Sequence, residues 1–262
     1  MNTKEVIDLA IKRHDIDAEK FQHNYLNEKT ATQFSPFFYG RNLILQELET
    51  LLNQLPPNAK VLDIGSGTGH LTDWIRQKGF TVEGIEPAKN MLAFAQKNFP
   101  DIAFFDGLSS STGRPAAEYD LIVAFEVLRY LDAAENKKSY QEFFRLLKND
   151  GYFFVTQVNR KANDGYYYFY HAKGFIYRLL KKTYHFCHFT SSQAEERTVL
   201  AQGFKSVKTV GRMSASLRIA KKFGNTISQK YRQYIEKTQG EQRFTQRPQK
   251  DKAAHLIVIG QK

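Results

Sequence analysis

Three glycines within an eleven-residue stretch carry the most chemistry in this chain. In residues 60–70, KVLDIGSGTGH, the apolar Val61, Leu62 and Ile64 read as a buried strand. The run breaks at Gly65, Gly67 and Gly69, with Ser66 between the first two, and resumes as a helix through Leu71, Trp74 and Ile75. A strand that enters a helix through glycines lets backbone N–H groups approach a ligand at the helix N-terminus. The spacing here is Gly-x-Gly-x-Gly behind an acid, Asp63, rather than the Gly-x-Gly-x-x-Gly of dinucleotide sites. An acid at that point repels a phosphate and suits the ammonium or sulfonium end of an amino-acid-like ligand.

Each later apolar run ends in a further candidate. Residues 81–85 (TVEGI) end at Glu86, about 20 residues beyond the glycine turn, where an acid in such folds bonds ribose hydroxyls. Pro87 then opens a helix whose first turn carries Met91, a residue suited either to an adenine ring or to core packing. Residues 102–105 end at Asp106-Gly107-Leu108, which suits an adenine pocket with a carboxylate for the exocyclic amine and apolar walls for the ring. Residues 119–125 (YDLIVAF) close on Phe125 and Glu126. Glu126 either faces the cofactor or reaction centre, or opens a solvated helix favoured by the dipole. A fifth run, 151–158, follows the turn 148–151. Together these features favour S-adenosylmethionine over a nucleotide phosphate. His70, just after the turn, reads as a surface or capping residue.

In these residues the chain resembles the class I S-adenosylmethionine-dependent methyltransferases, in particular the small-molecule branch that includes the ubiquinone- and menaquinone-pathway enzymes. The resemblance runs over residues 42–158 and resumes at 189–210. It implies an α/β fold, a Rossmann-like seven-stranded mostly parallel sheet with an antiparallel last strand (AAHLIVIG, 253–260) and helices on both faces. It also implies that residues 1–41 form an N-terminal helical cap, from which Tyr39 or Arg41 meets the methionine carboxylate. Residues 42–262 then form the methyltransferase domain, with helical lid insertions at about 160–190 and 212–252. S-adenosyl-L-methionine is the implied cofactor and S-adenosyl-L-homocysteine its product. In one place the chain departs from the pattern: many relatives carry an acid and a histidine where it has Arg129 and Tyr130, so a base assigned there elsewhere does not transfer.

The 262 residues suffice for one sizeable core with a lid. No apolar run approaches a membrane span, residues 1–15 lack the apolar stretch of a signal peptide, and the single Cys187 excludes an internal disulfide. A cytoplasmic protein is the expectation. The net charge of +11 is unevenly placed: residues 205–252 hold 13 Lys/Arg against three acids, and residues 160–190 hold six against Asp164 alone. The cofactor-binding part is therefore slightly acidic, and the basic charge sits in the two insertions, where the substrate site belongs.

Ten aromatics and three histidines fall within residues 166–189, far above the 14% aromatic average, which suggests a lid over the ligand side of the sheet. His171, His185 and His188 are candidate general bases there, as is Glu126 beyond the fourth strand. His185, Cys187 and His188 match no usual zinc spacing, and no metal is expected. Residues 214–238 carry an apolar stripe (Leu217, Ala220, Phe223, Ile227, Tyr231, Tyr234, Ile235) flanked by lysines and arginines, with Gly224 and Asn225 as a break point. Such a helix either packs its stripe on the domain or lies peripherally on an anionic membrane. Residues 240–252 read as a polar loop.

The fourth strand lacks the Asn/Asp-Pro-Pro-aromatic motif of exocyclic-amine methylation, and Cys187 lacks a preceding proline. Oxygen methylation of a small-molecule or lipid- or sugar-linked acceptor leads. An RNA-directed methyltransferase using the basic insertions, and a cofactor-binding regulator without catalysis, are the alternatives.

Overall fold

Runs of β-branched and apolar residues, each closed by glycine or a polar turn, set the strands of this fold. The computed structural model describes residues 2–27, 35–182, 184, 186–214, 216–238 and 252–262. Phe34, His185 and, apart from Lys252, the loop expected over 240–252 lie outside them, as does the side chain of Tyr25. Strands β1 (Lys60–Ile64), β2 (Thr81–Ile85), β3 (Ala103–Phe105), β4 (Tyr119–Ala124) and β5 (Leu147–Asn159) pair in parallel. The short strand β6 (Phe189–Thr190) adds in parallel to the end of β5. Strand β8 (Ala253–Gln261) runs antiparallel between β5 and β7 (Ser206–Ser214). The continuous order is β3-β2-β1-β4-β5-β8-β7, with β6 off this path.

Side chains alternate across the sheet, and both faces are buried, which is why the parallel strands read as near-continuous apolar runs. Leu121 and Val123 of β4 face α2 (Pro36–Leu52), α3 (His70–Arg76) and α4 (Lys89–Asn98). Ile122 and Ala124 face α5 (Ala133–Leu146) and α7 (Ser192–Leu200). The order reverses after β1, so a crevice opens at the carboxyl ends of β1 and β4, the place where open α/β sheets bind ligands.

Two local expectations are refined. The turn expected at 148–151 is a bulge inside β5. Tyr119 pairs with Leu147 but Leu121 pairs with Tyr152, and Asp150 takes φ +64° to absorb the extra residues. The apolar stripe over 214–238 is divided into α8 (Ser216–Lys222) and α9 (Asn225–Lys237) at Gly224, φ +110°. Leu217 and Ile235 pack with Met213 and Ala254, whereas Phe223, Ile227 and Tyr234 are exposed.

The N-terminal helix α1 (Thr3–Asn27) roofs the crevice. Thr3 Oγ1 donates to Asp132 at 2.6 Å, and Asn98 Nδ2 donates to Gln22 at 3.1 Å. Ala88, at the start of α4, has no acceptor with which to cap it, and Asp15 of α1 supplies one, accepting from Asn90 N–H at 2.7 Å. Helix α2 runs through residue 41, so the boundary expected there falls inside a helix whose far half (Ile44, Leu48, Leu52) is core.

Candidate active site

The turn after β1 places Gly65, Gly67 and Gly69 at φ +71°, +56° and +87°, a region that L side chains rarely adopt. A Cβ on Gly65 would come within 2.3 Å of Val127 Cγ2, and one on Gly69 within 2.8 Å of Phe99. On Gly67 it would meet only Met91 Sδ, at 3.9 Å. Gly65 and Gly67 line the cavity, whereas Gly69 is packed behind it and serves the turn.

Glu86 lines the cavity beside the turn. Its Oε2 accepts from Gly67 N–H at 2.8 Å and its Oε1 from Ala88 N–H at 2.9 Å, leaving each oxygen a second lone pair at the cavity. Burial pushes its carboxyl up to about 7, with the Asp63 charge adding to the shift. Asp63 lies beneath the turn and not on the cavity lining; its Oδ2 accepts from Thr72 Oγ1 at 2.7 Å, and burial raises its carboxyl to about 7 as well. Its Oδ1, together with Ser66 Oγ and Thr68 Oγ1, is buried without a protein partner.

This donor set fits S-adenosylmethionine. Two buried carboxylates without a cationic partner among the described residues, orphaned oxygens and a backbone-lined cradle match a cationic amino-acid nucleoside. Ser66, Pro87, Met91, Gly107, Leu108, Phe125 and Arg41 also line the cavity. Met91 serves both readings, since it also packs on Ala18 and Ala88.

Other candidates fall elsewhere. Tyr39 packs against Met213, Leu217, Ile235 and Ala254, because on α2 it sits two residues from Phe37 and Arg41, the i, i+4 pair that faces the cavity. Asp106 is exposed and off the lining, and Ser109 takes a place there beside Gly107 and Leu108. His171 is exposed on α6 (Tyr166–Leu179) against Tyr167 and Phe189, and His188 is absent from the cavity wall. Glu126 does line the cavity, at a strained φ of +60° held by its N–H donating to Thr156 Oγ1 at 2.7 Å. Burial alone would raise its carboxyl, but Arg129, paired with its Oε2, and His255, 3.5 Å from its Oε1, hold it well below the usual carboxylate range. So paired, it is a poor base.

The residue that sequence reasoning missed is His14, on the roof helix. It lies seven residues from both Ile7 and Phe21 on the cavity-facing stripe of α1, a polar member of an apolar face. Its Nδ1 meets Ala10 O at 2.8 Å. A carbonyl only accepts, so Nδ1 carries the proton and Nε2 keeps a lone pair. Burial lowers its pKa, and its ring stands edge-on to Tyr130 at 4.7 Å.

A sheet in this order, with a glycine turn after β1 and an acid at the end of β2, defines the class I S-adenosylmethionine-dependent methyltransferases. The chain belongs to the methyltransferase-domain family, whose model matches residues 38–209. It is 30% identical over 110 residues to an uncharacterized methyltransferase of Oceanobacillus iheyensis, covering 41% of this chain and 52% of that one. It is 24% identical over 119 residues to the ubiquinone/menaquinone biosynthesis C-methyltransferase of Campylobacter jejuni, covering 43% and 50%. The chain thus spans about half the length of these curated relatives. Among solved structures, a methyltransferase of Thermotoga maritima, described as a possible histamine N-methyltransferase, shares the fold with a TM-score of 0.59 at 16% identity, covering 95% and 97%.

The raised carboxyls carry a sign that can be tested. For Asp63 and Glu86 the folded value lies above the unfolded one, so the stability they contribute is present at low pH and lost as pH rises from about 4 towards 7. A bound cation favours their ionised forms. S-adenosylmethionine binding is therefore expected to release protons near pH 6.5 and to tighten by up to about tenfold per proton per pH unit between pH 6 and 7. Titration calorimetry in buffers of different ionisation enthalpy measures both; uptake of protons on binding would contradict the assignment.

Proposed function

We propose that the protein transfers a methyl group from S-adenosylmethionine to an oxygen of a small-molecule or lipid- or sugar-linked acceptor, in the cytoplasm. The observation that carries this reading is that the cofactor cradle and His14 share one cavity, with Arg129 and Tyr130 in its wall. The cofactor supplies an electrophilic methyl on a sulfonium, so holding the acceptor in line provides much of the rate. The chain's own residues then have two tasks. Phe37, Phe125 and the roof helix wall off the cavity, and His14 Nε2, neutral at working pH, accepts the proton of the acceptor hydroxyl. Arg13, Asp17 and Lys20 line a second cavity that adjoins the first through His14, Phe21, Arg129 and Tyr130; Asp17 lies 3.8 Å from Arg13, which leaves Lys20 and Arg129 as the cations that favour an acceptor bearing an anionic group.

Transfer of labelled methyl from S-adenosylmethionine into host extract, split into lipid, small-molecule and nucleic-acid fractions, tests the reading. Label in the lipid or small-molecule fraction supports it; label confined to RNA refutes it. His14→Ala is expected to lower kcat on the identified acceptor by about 10²-fold while cofactor affinity changes little. The acid limb of the pH–rate profile should lie below the usual histidine range and vanish in the variant. An unchanged profile would remove His14 from this role.

A further inference from the structure

Helix α6 is apolar on both sides. Its inner face, through Tyr166 and Tyr170, packs on Val158, Tyr184, Cys187 and Phe189. Among the described residues its outer face has no such cover: Tyr168 is 76% exposed, Phe175 60%, Ile176 52% and Leu179 67%. Positions 168, 172, 175 and 179 follow one helical row, with 169, 176 and 180 beside it, so the exposed residues form one continuous stripe. Lys222 Nζ lies 5.2 Å from the centre of the Phe169 ring, which brings the end of α8 alongside and adds Phe223, 68% exposed. An apolar surface of this extent on a water-facing helix marks an interaction site.

The charge around the stripe selects the partner. Arg178, Lys181 and Lys182 are exposed at its C-terminal end. Residues 165–190 contain no acid, and the adjacent Asp164 is paired with Arg218 at 2.5 Å. A second copy of the chain docked symmetrically here would bring like basic clusters together. RNA would leave Ile176, Leu179 and Leu180 unused, because aliphatic side chains offer bases no stacking face. A surface that presents apolar groups and negative charge together satisfies both features. We propose that the outer face of α6, with Phe223, inserts into the surface of an anionic lipid bilayer. The inner face of the same helix backs onto the active-site wall, since Cys187 Sγ lies 3.8 Å from Arg129 Nη2, so docking would hold the cavity at the bilayer.

Cosedimentation of the full chain with phosphatidylcholine vesicles, with and without phosphatidylglycerol, tests this. Three cations at the surface imply binding about a hundredfold tighter to the anionic vesicles, weakening as salt is raised. Phe175→Asp and Leu179→Asp should abolish binding, and Phe175→Leu should keep it, with circular dichroism and cofactor affinity unchanged in all three. Lys181→Glu/Lys182→Glu, on exposed side chains that carry no fold, should remove the preference for anionic vesicles. Wild-type protein that ignores anionic vesicles, or aspartate variants that still bind them, would overturn the proposal. So would a dimer or an RNA complex that the aspartate variants disrupt when no vesicle binding exists.

Discussion

Glu86→Ala is expected to weaken S-adenosylmethionine binding by about 10²–10⁴-fold, the loss of two hydrogen bonds to a charged acceptor at about 1.5–3 kcal/mol each. The side chain is buried and spans the turn and the following loop, accepting from Gly67 and Ala88 N–H. Alanine therefore removes the oxygens assigned to the ribose and also frees the backbone that shapes the cradle. Glu86→Gln separates these effects: it keeps one acceptor oxygen for the backbone but loses the charge. Thermal unfolding with and without cofactor reads the result, because a ligand that binds only the folded state raises Tm. Wild-type protein should show that rise and both variants should lose most of it. A full rise in Glu86→Ala would move the ribose to another wall of the cavity.

The second large effect is on stability. Arg129→Ala leaves Glu126, 18% exposed on the cavity wall, with Thr156 and His255 as its remaining polar side-chain neighbours among the described residues. Breaking such a pair by removing one partner costs about 3–5 kcal/mol, against total stabilities of about 5–15 kcal/mol for domains of this kind. Urea unfolding should show the midpoint falling by a large fraction. Acid behaviour gives the sign. Because the folded Glu126 carboxyl lies below its unfolded value, its stabilising contribution is present above about pH 4.5 and lost as pH falls. In Arg129→Ala that acid sensitivity should reverse, since the unpaired carboxylate prefers a proton. Adding Glu126→Gln should restore part of the loss, and a double-mutant cycle gives the coupling. Simple additivity would show that the pair does not act as one.

Short-range chemistry accounts for what could be read from residues alone. Gly65, Gly67 and Gly69 follow an apolar strand and precede a helix, so the turn and its backbone donors are local facts. Glu86 at the end of the next strand is equally local, because strand length and the loop after it leave one place for its carboxylate. The break at Gly224 also follows from composition, since glycine at φ +110° interrupts an otherwise helical period. Charge asymmetry located the basic face, although not the residues that accompany it: the stripe expected over 214–238 is partly core and partly exposed, and a further exposed apolar stripe lies on α6.

Side-chain direction decided the rest. Tyr39 and Arg41 are neighbours in sequence, yet helical rotation sends one to the cavity and the other to Met213 and Leu217. Glu126 and Arg129 lie three residues apart, but Thr156 and His255, which complete the cluster, come from β5 and β8. His14 reaches Tyr130 because Asp15 and Thr3 pin α1 across the sheet, contacts that join segments far apart in the chain. The sequence alone determined the cofactor class, since a glycine turn and the acids that end strands are set within a few residues of one another. Only the tertiary structure decided which side chains reach the cavity wall and which apolar face stays exposed, because those depend on how distant elements pack and turn against the sheet.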